Sequence, residues 1–131
     1  MNSKMTLIEE NEARYGSEIR SNYGNEVVDQ ANNKISSMTS EQYDAWKRLE
    51  QEILTRLEQA ALDHSTPDSE TGKRLVELHR QWLMYTWSSY SAAAHKGLAQ
   101  MYVCDERFTA YYDGSVPGCA AFLRDAIAFH A

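Results

Sequence analysis

The chain of 131 residues lacks most of what marks a membrane, secreted or nucleotide-binding protein. No apolar run approaches the roughly 18 residues of a membrane span. The N-terminal string MNSKMTLIEENEARYG has none of the apolar core that a secretory leader needs, so a cytoplasmic location is expected. Cys104 and Cys119 are the two cysteines, and in that compartment they are expected to be free thiols. Lys and Arg number 13 against 19 Asp and Glu, a formal net charge of -6. Direct contact with nucleic acid is not expected, because phosphate binding needs clustered cations. There is no G-x-G-x-x-G, no phosphate loop, no Cys-x-x-Cys and no G-x-S-x-G elbow. His79 and His95 are too far apart to hold a metal from one helix, and each is expected to have a hydrogen-bonded structural role. Neither cofactor nor metal nor catalysis is expected.

Prolines number two and glycines six, and nothing reads as a run of alternating strands. Ala, Glu, Gln, Leu and Arg dominate, which predicts an all-helical domain. A chain of this length makes one domain, burying about two thirds of its unfolded surface. The stretch LVELHRQWLMYTWSSY, Leu75 to Tyr90, is read as its centre. Leu75, Leu78, Trp82 and Tyr85 or Thr86 recur at three- to four-residue steps, the mark of an amphipathic helix. His79, Trp82 or Leu83, Thr86 or Trp87, and Tyr90 would then occupy adjoining strips of one side. Such a helix is either the aromatic centre of the core or a wall of rings lining a pocket.

The chain before it divides in two. Residues 1–38 offer a thin polar helix over 1–16, a turn-prone SEIRSNY between Gly16 and Gly24, and a weak helix over Asn25–Ser37 with Val27, Val28, Ala31 and Ile35 inward. Their few apolar side chains, worth about 1.5–3 kcal/mol each when buried, barely offset roughly 1–2 kcal/mol of ordering entropy per residue. The segment is expected to be a flexible helical lid, with residues 39–131 the core. Thr39 with Gln42 matches a capping box, and Tyr43, Trp46, Leu49, Ile53, Leu57 and Ala60 carry a long helix to about His64. Glu52 and Arg56 form a pair on its solvated side. Thr66 with Pro67 is expected to open the central helix, which would run to about Ser88 as an antiparallel neighbour of the first. Ser91 would cap AAAHKGLAQMYVC, with Ala94, Leu98, Met101 and Tyr102 inward. Asp105 would start ERFTAYY, closed at Gly114, and Pro117 would open a last helix burying Cys119, Phe122, Leu123, Ala126 and Ile127. Cys119, in a first helical turn, is either an activated thiol or a small buried hydrophobe.

In the last third, DERFT (Asp105–Thr109), Pro117–Gly118 before a helix, and FLRDAI (Phe122–Ile127) stand in an order that resembles the TipAS family of antibiotic-recognition domains. His79–Arg80 and His95 keep the family's separation, and EQYDAWKRLEQEI resembles its first long helix. The resemblance covers about Ser40 to the end well and the N-terminal segment loosely. It implies a globin-like all-helical fold without haem, a bulky heterocyclic or peptide-like antibiotic as ligand, and an N-terminal segment that closes over it. Tyr90 stands where the thiopeptide-binding prototype has a cysteine that captures its ligand, so covalent capture does not carry over. The ligand-contacting residues expected are Trp46, His79, Trp82, Leu83, Thr86, Trp87, Tyr90 and Tyr112. Residues 1–38 hold no basic helix-turn-helix, so a regulatory role would be that of an effector domain of a MerR-type regulator, or of a free-standing sequestering protein. A helical dimerisation module without small ligand is the alternative, and a monomer or weak dimer is expected.

Overall fold

A computed structural model describes residues 25–131 as six helices, with no strand among them: α1 Asn25–Ser37, α2 Ser40–Leu62, α3 Glu70–Met84, α4 Ala92–Cys104, α5 Glu106–Asp113 and α6 Cys119–His130. The helix expected over residues 1–16 and the Gly16–Gly24 segment lie outside the described residues, as do the side chains of Val27, Val28 and Ala31. The bounds of α1, α4 and α5 fall where the sequence placed them, and no described helix is long and apolar enough to cross a membrane.

Each boundary has a local cause. Thr39 caps α2 by the expected box: its hydroxyl accepts from Gln42 N while the Gln42 side chain accepts from Thr39 N. At the other end His64 adopts φ 56, and the amides of His64 and Ser65 close back onto the carbonyls of Ala61 and Ala60. That is a left-handed helix stop of the Schellman kind, reached here without glycine. The Glu52–Arg56 pair forms at 2.9 Å, but both side chains are about half exposed, so it adds little.

The opening of α3 differs from expectation. Ser69, not Thr66, is the cap, with its hydroxyl accepting from Gly72 N at 3.3 Å. The Thr66 carbonyl accepts from both Ser69 N and Ser69 Oγ, so Thr66 and Pro67 form a turn ahead of the helix. The far end differs too. α3 stops at Met84 because Thr86 N, Thr86 Oγ1 and Trp87 N all turn back to the Leu83 carbonyl. Trp87 and Tyr90 therefore stand on a connecting segment rather than on the helix that carries His79 and Trp82.

The helix that touches most of the others is α6, which packs on α2, α3, α4 and α5. Cys119, Ala120, Leu123, Ala126 and Ile127 are shut off from solvent, and the small residues among them allow close approach. Leu57 of α2, Leu75 of α3 and Ala99 of α4 close the same core. On α4 the inward set is turned slightly from expectation: His95, Ala99 and Tyr102 are buried, whereas Ala94, Leu98 and Met101 are half-buried.

The strings that carried the family resemblance are the joints of this core. Asp105 caps α5 through Arg107 N, and Thr109 Oγ1 donates to the Tyr102 carbonyl at 2.7 Å, fixing the α4–α5 corner. Gly118 holds φ 92 ahead of α6 and has no side chain to cap it. The cap comes instead from Asp113, whose carboxylate accepts from Gly118 N and Ala120 N. Gly72 is required for a different reason: a Cβ there would sit 2.0 Å from the Pro67 carbonyl oxygen. Gly72→Ala is expected to destabilise the protein by about 1–3 kcal/mol, the usual cost of overpacking. Urea denaturation checks this, and a midpoint within error of the parent would show that the turn and α3 do not touch as described.

Candidate functional site

Two aromatic constellations meet at α3. In the first, Trp46 of α2 stacks on Trp82 of α3, ring centres 5.9 Å apart and planes 15° from parallel. Tyr43 meets Trp46 edge-on, and Tyr85 packs on the same cluster. Among the described residues, the end of α1 covers these rings: Ile35 and Met38 are buried against Trp46. Lys34 Nζ donates to the Trp87 carbonyl at 2.7 Å, tying α1 to the segment after α3. Both indole nitrogens, Trp46 Nε1 and Trp82 Nε1, are shielded from solvent without a hydrogen-bond partner. An unpaired buried donor of this kind costs about 1–3 kcal/mol.

The second constellation is a hydrogen-bonded row. Tyr90 OH lies 2.7 Å from His95 Nδ1, His95 Nε2 lies 2.8 Å from His79 Nδ1, and His79 Nε2 lies 3.2 Å from Tyr102 OH. Each neutral imidazole has one donor and one acceptor nitrogen, so the three bonds share one direction. Either Tyr90 donates to His95, which donates to His79, which donates to Tyr102, or every link is reversed. The two imidazole rings are near-parallel at 5.0 Å, and the His79 ring is 5.5 Å from that of Trp82. The Arg80 guanidinium lies over the Tyr90 ring at 4.5 Å, with Trp87 on the same ring at 6.3 Å. A hydrogen-bonded structural role is expected of each histidine, and the structure makes each the partner of the other.

Burial and then the charge of His95 hold His79 at about 3, against an ordinary 6.5. Burial and then the Arg80 guanidinium hold His95 at about 4. Burial raises the Tyr90 hydroxyl, Arg80 only partly opposing it. Cys119 is wholly buried, and burial, with the carboxylates of Asp113 and Glu58, pushes its thiol up to about 11. The activated-thiol reading of Cys119 is thus overturned, because desolvation outweighs the helix N-terminus.

The expected site residues separate accordingly. Trp46, Trp82 and His79 come together, and Tyr90 joins His79 through His95, with Trp87 beside it. Thr86 is buried, its hydroxyl donating to the Leu83 carbonyl, and Leu83 itself is almost wholly buried. Tyr112 lies in the main core, its ring 4.8 Å from that of Tyr102. Burial and then Tyr102 push the Tyr112 hydroxyl up. Sequence reasoning missed Tyr102, Lys34 and Met38 as members of these clusters. No spacing pattern could have paired Tyr102 with His79 across 23 residues, or Lys34 with Trp87 across 53. A shallow groove of about 530 Å³ lies elsewhere, along Val103, Glu106, Thr109, Ala110, Asp113 and Gly114. None of the expected site residues lines it. Its Asp113 carboxylate is already spent on the α6 amides.

Among the described residues, fold and site together define an all-helical domain with an aromatic cluster beside its core, and no group of His, Cys, Asp or Glu could hold a metal. The chain belongs to the TipAS antibiotic-recognition domain family, whose model matches residues 15–130. The resemblance drawn from DERFT, Pro117–Gly118 and FLRDAI is borne out. Over 73 residues the chain is 41% identical to the HTH-type transcriptional activator TipA of Streptomyces coelicolor, and equally to that of Streptomyces lividans. The match takes in 55% of this chain and 29% of each relative, so the chain spans less than a third of the activators it resembles. A solved structure of TipAS in complex with nosiheptide, from a thiopeptide antibiotic multidrug resistance system of Streptomyces lividans, superposes with a TM-score of 0.76 at 32% identity. That superposition covers 91% of this chain and 84% of the other, and the globin-like helical arrangement is shared.

The imidazole pair makes a pH dependence. Both folded values lie below 6.5, so the unfolded chain binds more protons as the pH falls below that point. Their contribution to stability is complete above about pH 6.5 and is lost as the pH falls toward about 4 and then about 3. The expected slope approaches about 1.4 kcal/mol per pH unit for each imidazole. Denaturation midpoints measured from pH 7 to 4 check this, with His95→Gln giving a shallower loss. Equal slopes in parent and variant would contradict it.

Proposed function

We propose that this chain recognises a bulky heterocyclic, peptide-like antibiotic of the thiopeptide kind, by binding and not by catalysis. The observation that carries the reading is the stacked Trp46–Trp82 pair, against which Ile35 and Met38 at the end of one helix are packed. Indole faces suit planar heterocycles, since offset stacking adds to the area they bury. The solved structure of TipAS with nosiheptide supports that choice of ligand. Trp46, Trp82, Trp87 and Tyr90 supply stacking surface in this reading. Thr86 and Leu83 hold the turn that presents Trp87, and His79 acts through His95 to fix Tyr90. Tyr112 supports this row from behind, through Tyr102. Tyr90 leaves the ligand non-covalently held.

Residues 1–38 serve as the lid in this reading, and among the described residues the end of α1 meets the rings. Among its described side chains only Ile35 is deeply buried, with Met38 just beyond, at roughly 1.5–3 kcal/mol each. Ordering its 13 residues costs about 1–2 kcal/mol apiece. A ligand that packs between α1 and the indoles tips this balance toward the closed state. Coupled to a separate DNA-binding domain, closure would report the antibiotic to a MerR-type activator, and alone it would sequester the drug in the cytoplasm. The relatedness to the TipA activators favours the first role.

Nosiheptide is expected to change the tryptophan fluorescence saturably and, at a hundredfold excess over Kd, to stabilise the fold by about 2.7 kcal/mol. A flat titration with no thermal shift would remove the reading. Amide exchange in α1 is expected to be faster than in α3 without ligand and to slow sharply when nosiheptide is added. Protection of α1 equal to that of α3 in the free protein would dismiss the lid.

A further inference from the structure

The two indole N–H groups at the centre of the aromatic cluster carry a statement about ligand chemistry that the stacking alone does not. Trp46 is 4% exposed, both nitrogens are out of solvent, and neither has a hydrogen-bond partner. Native interiors leave few such donors, and here two from different helices stand in one stacked pair. The side chains of Ile35 and Met38 that close over the cluster contain no oxygen, and the hydroxyls of Tyr43 and Tyr85 leave both donors unmet. The unmet donors lie in the cluster that Ile35 and Met38 join, whereas the polar groups of the neighbouring histidine row are fully paired. An indole nitrogen donates and never accepts. Whatever completes this site must therefore bring acceptors.

We propose that Trp46 Nε1 and Trp82 Nε1 are specificity-determining donors, selecting a planar heteroaromatic ligand that presents a ring nitrogen or an adjoining amide carbonyl at the edge of the stacked pair. The inference rests on the ligand-binding reading above and adds to it the polarity of the match. The ligand supplies acceptors on the side facing the indoles, and an equally flat hydrocarbon or a donor-only ring is rejected. Ile35 and Met38 are the groups displaced when the acceptors arrive. The free protein holds two donors that binding alone satisfies, so the orphaned pair favours the bound state.

The test replaces Trp46 or Trp82, singly, with 3-(3-benzothienyl)alanine, in which sulfur takes the place of the indole N–H at nearly unchanged shape. Nosiheptide is the probe. Expected are an affinity about tenfold lower for each replacement and a thermal midpoint of the free protein that does not fall, since an unmet donor has been removed. A purely structural role for the rings would move neither quantity in this opposed way. A second measurement needs no variant: the indole ¹H–¹⁵N signals of Trp46 and Trp82 in the parent protein should shift downfield on binding. Undiminished affinity in both replaced proteins, or indole signals that do not move while nosiheptide binds, overturns the inference and leaves the ligand-binding reading standing. A loss of stability in the free replaced proteins overturns it as well, because the donors would then be satisfied without ligand. No binding of nosiheptide by the parent protein overturns the reading and the inference together.

Discussion

Two uncharged imidazoles joined at 2.8 Å inside an apolar core are the constraint on which the rest of this structure leans. α3 and α4 both pack on α6, and the pair joins them directly. The bond costs little while both rings stay neutral and every nitrogen is used. It becomes expensive once one partner is removed, because the survivor is left with an unmet buried group. From that bond the order spreads two ways. Inward, Tyr102 carries it to Tyr112 and the α4–α5 corner. Outward, Tyr90 brings it to the segment after α3, where Arg80 and Trp87 cover its ring. The connection after α3 has no regular structure, and this row holds its Tyr90 end while the Leu83 carbonyl and Lys34 hold Trp87.

The aromatic cluster beside it obeys a different logic. Trp82 touches both the main core and the smaller group of Ile35, Met38 and Trp46, so one residue belongs to the permanent fold and to its cover. The main core is closed by buried residues from α2 to α6, with Leu57, Cys119, Leu123, Ala126 and Ile127 wholly shut off from solvent. Among the described residues, the small cluster is joined by Ile35 and Met38, and Lys34 bonds to the Trp87 carbonyl beside it. The stacked indoles thus lie at the boundary between the main core and the smaller cluster.

Helix content, the capping box at Thr39, the corner at Asp105 and the buried face of α6 were legible in the sequence because each is written in neighbouring residues. The end of α3 was not. Leu75 to Tyr90 keeps a helical rhythm, but the rhythm records only which residues are apolar. The Leu83 carbonyl, taken by three donors, ends the helix six residues before Tyr90. At the other end, the serine at 69 outcompeted Thr66 because a proline turn places its hydroxyl beneath Gly72. Of the site, the tryptophans and His79 were visible as residue types, but their partners were not. The link from His79 to His95 depends on how α3 and α4 lie across α6, and no local signal states that. The prominence of α6 itself was hidden by its shortness and its small side chains, which read as unremarkable until neighbours are packed against them.

That the shared partner of four helices is the last of the six has a consequence for how the chain comes into being. During synthesis α2, α3 and α4 leave the ribosome with their inward faces complete, yet with nothing common to dock on until Cys119–His130 follows. The cap of α6 lies on Asp113, only a few residues upstream, so the hub can nucleate as soon as α5 ends. α2 and α3 pack directly on each other and can pair first, and α6 then supplies the partner that they share with α4. A chain halted before residue 119 leaves the inward faces of α2, α3 and α4 without the helix on which all three pack.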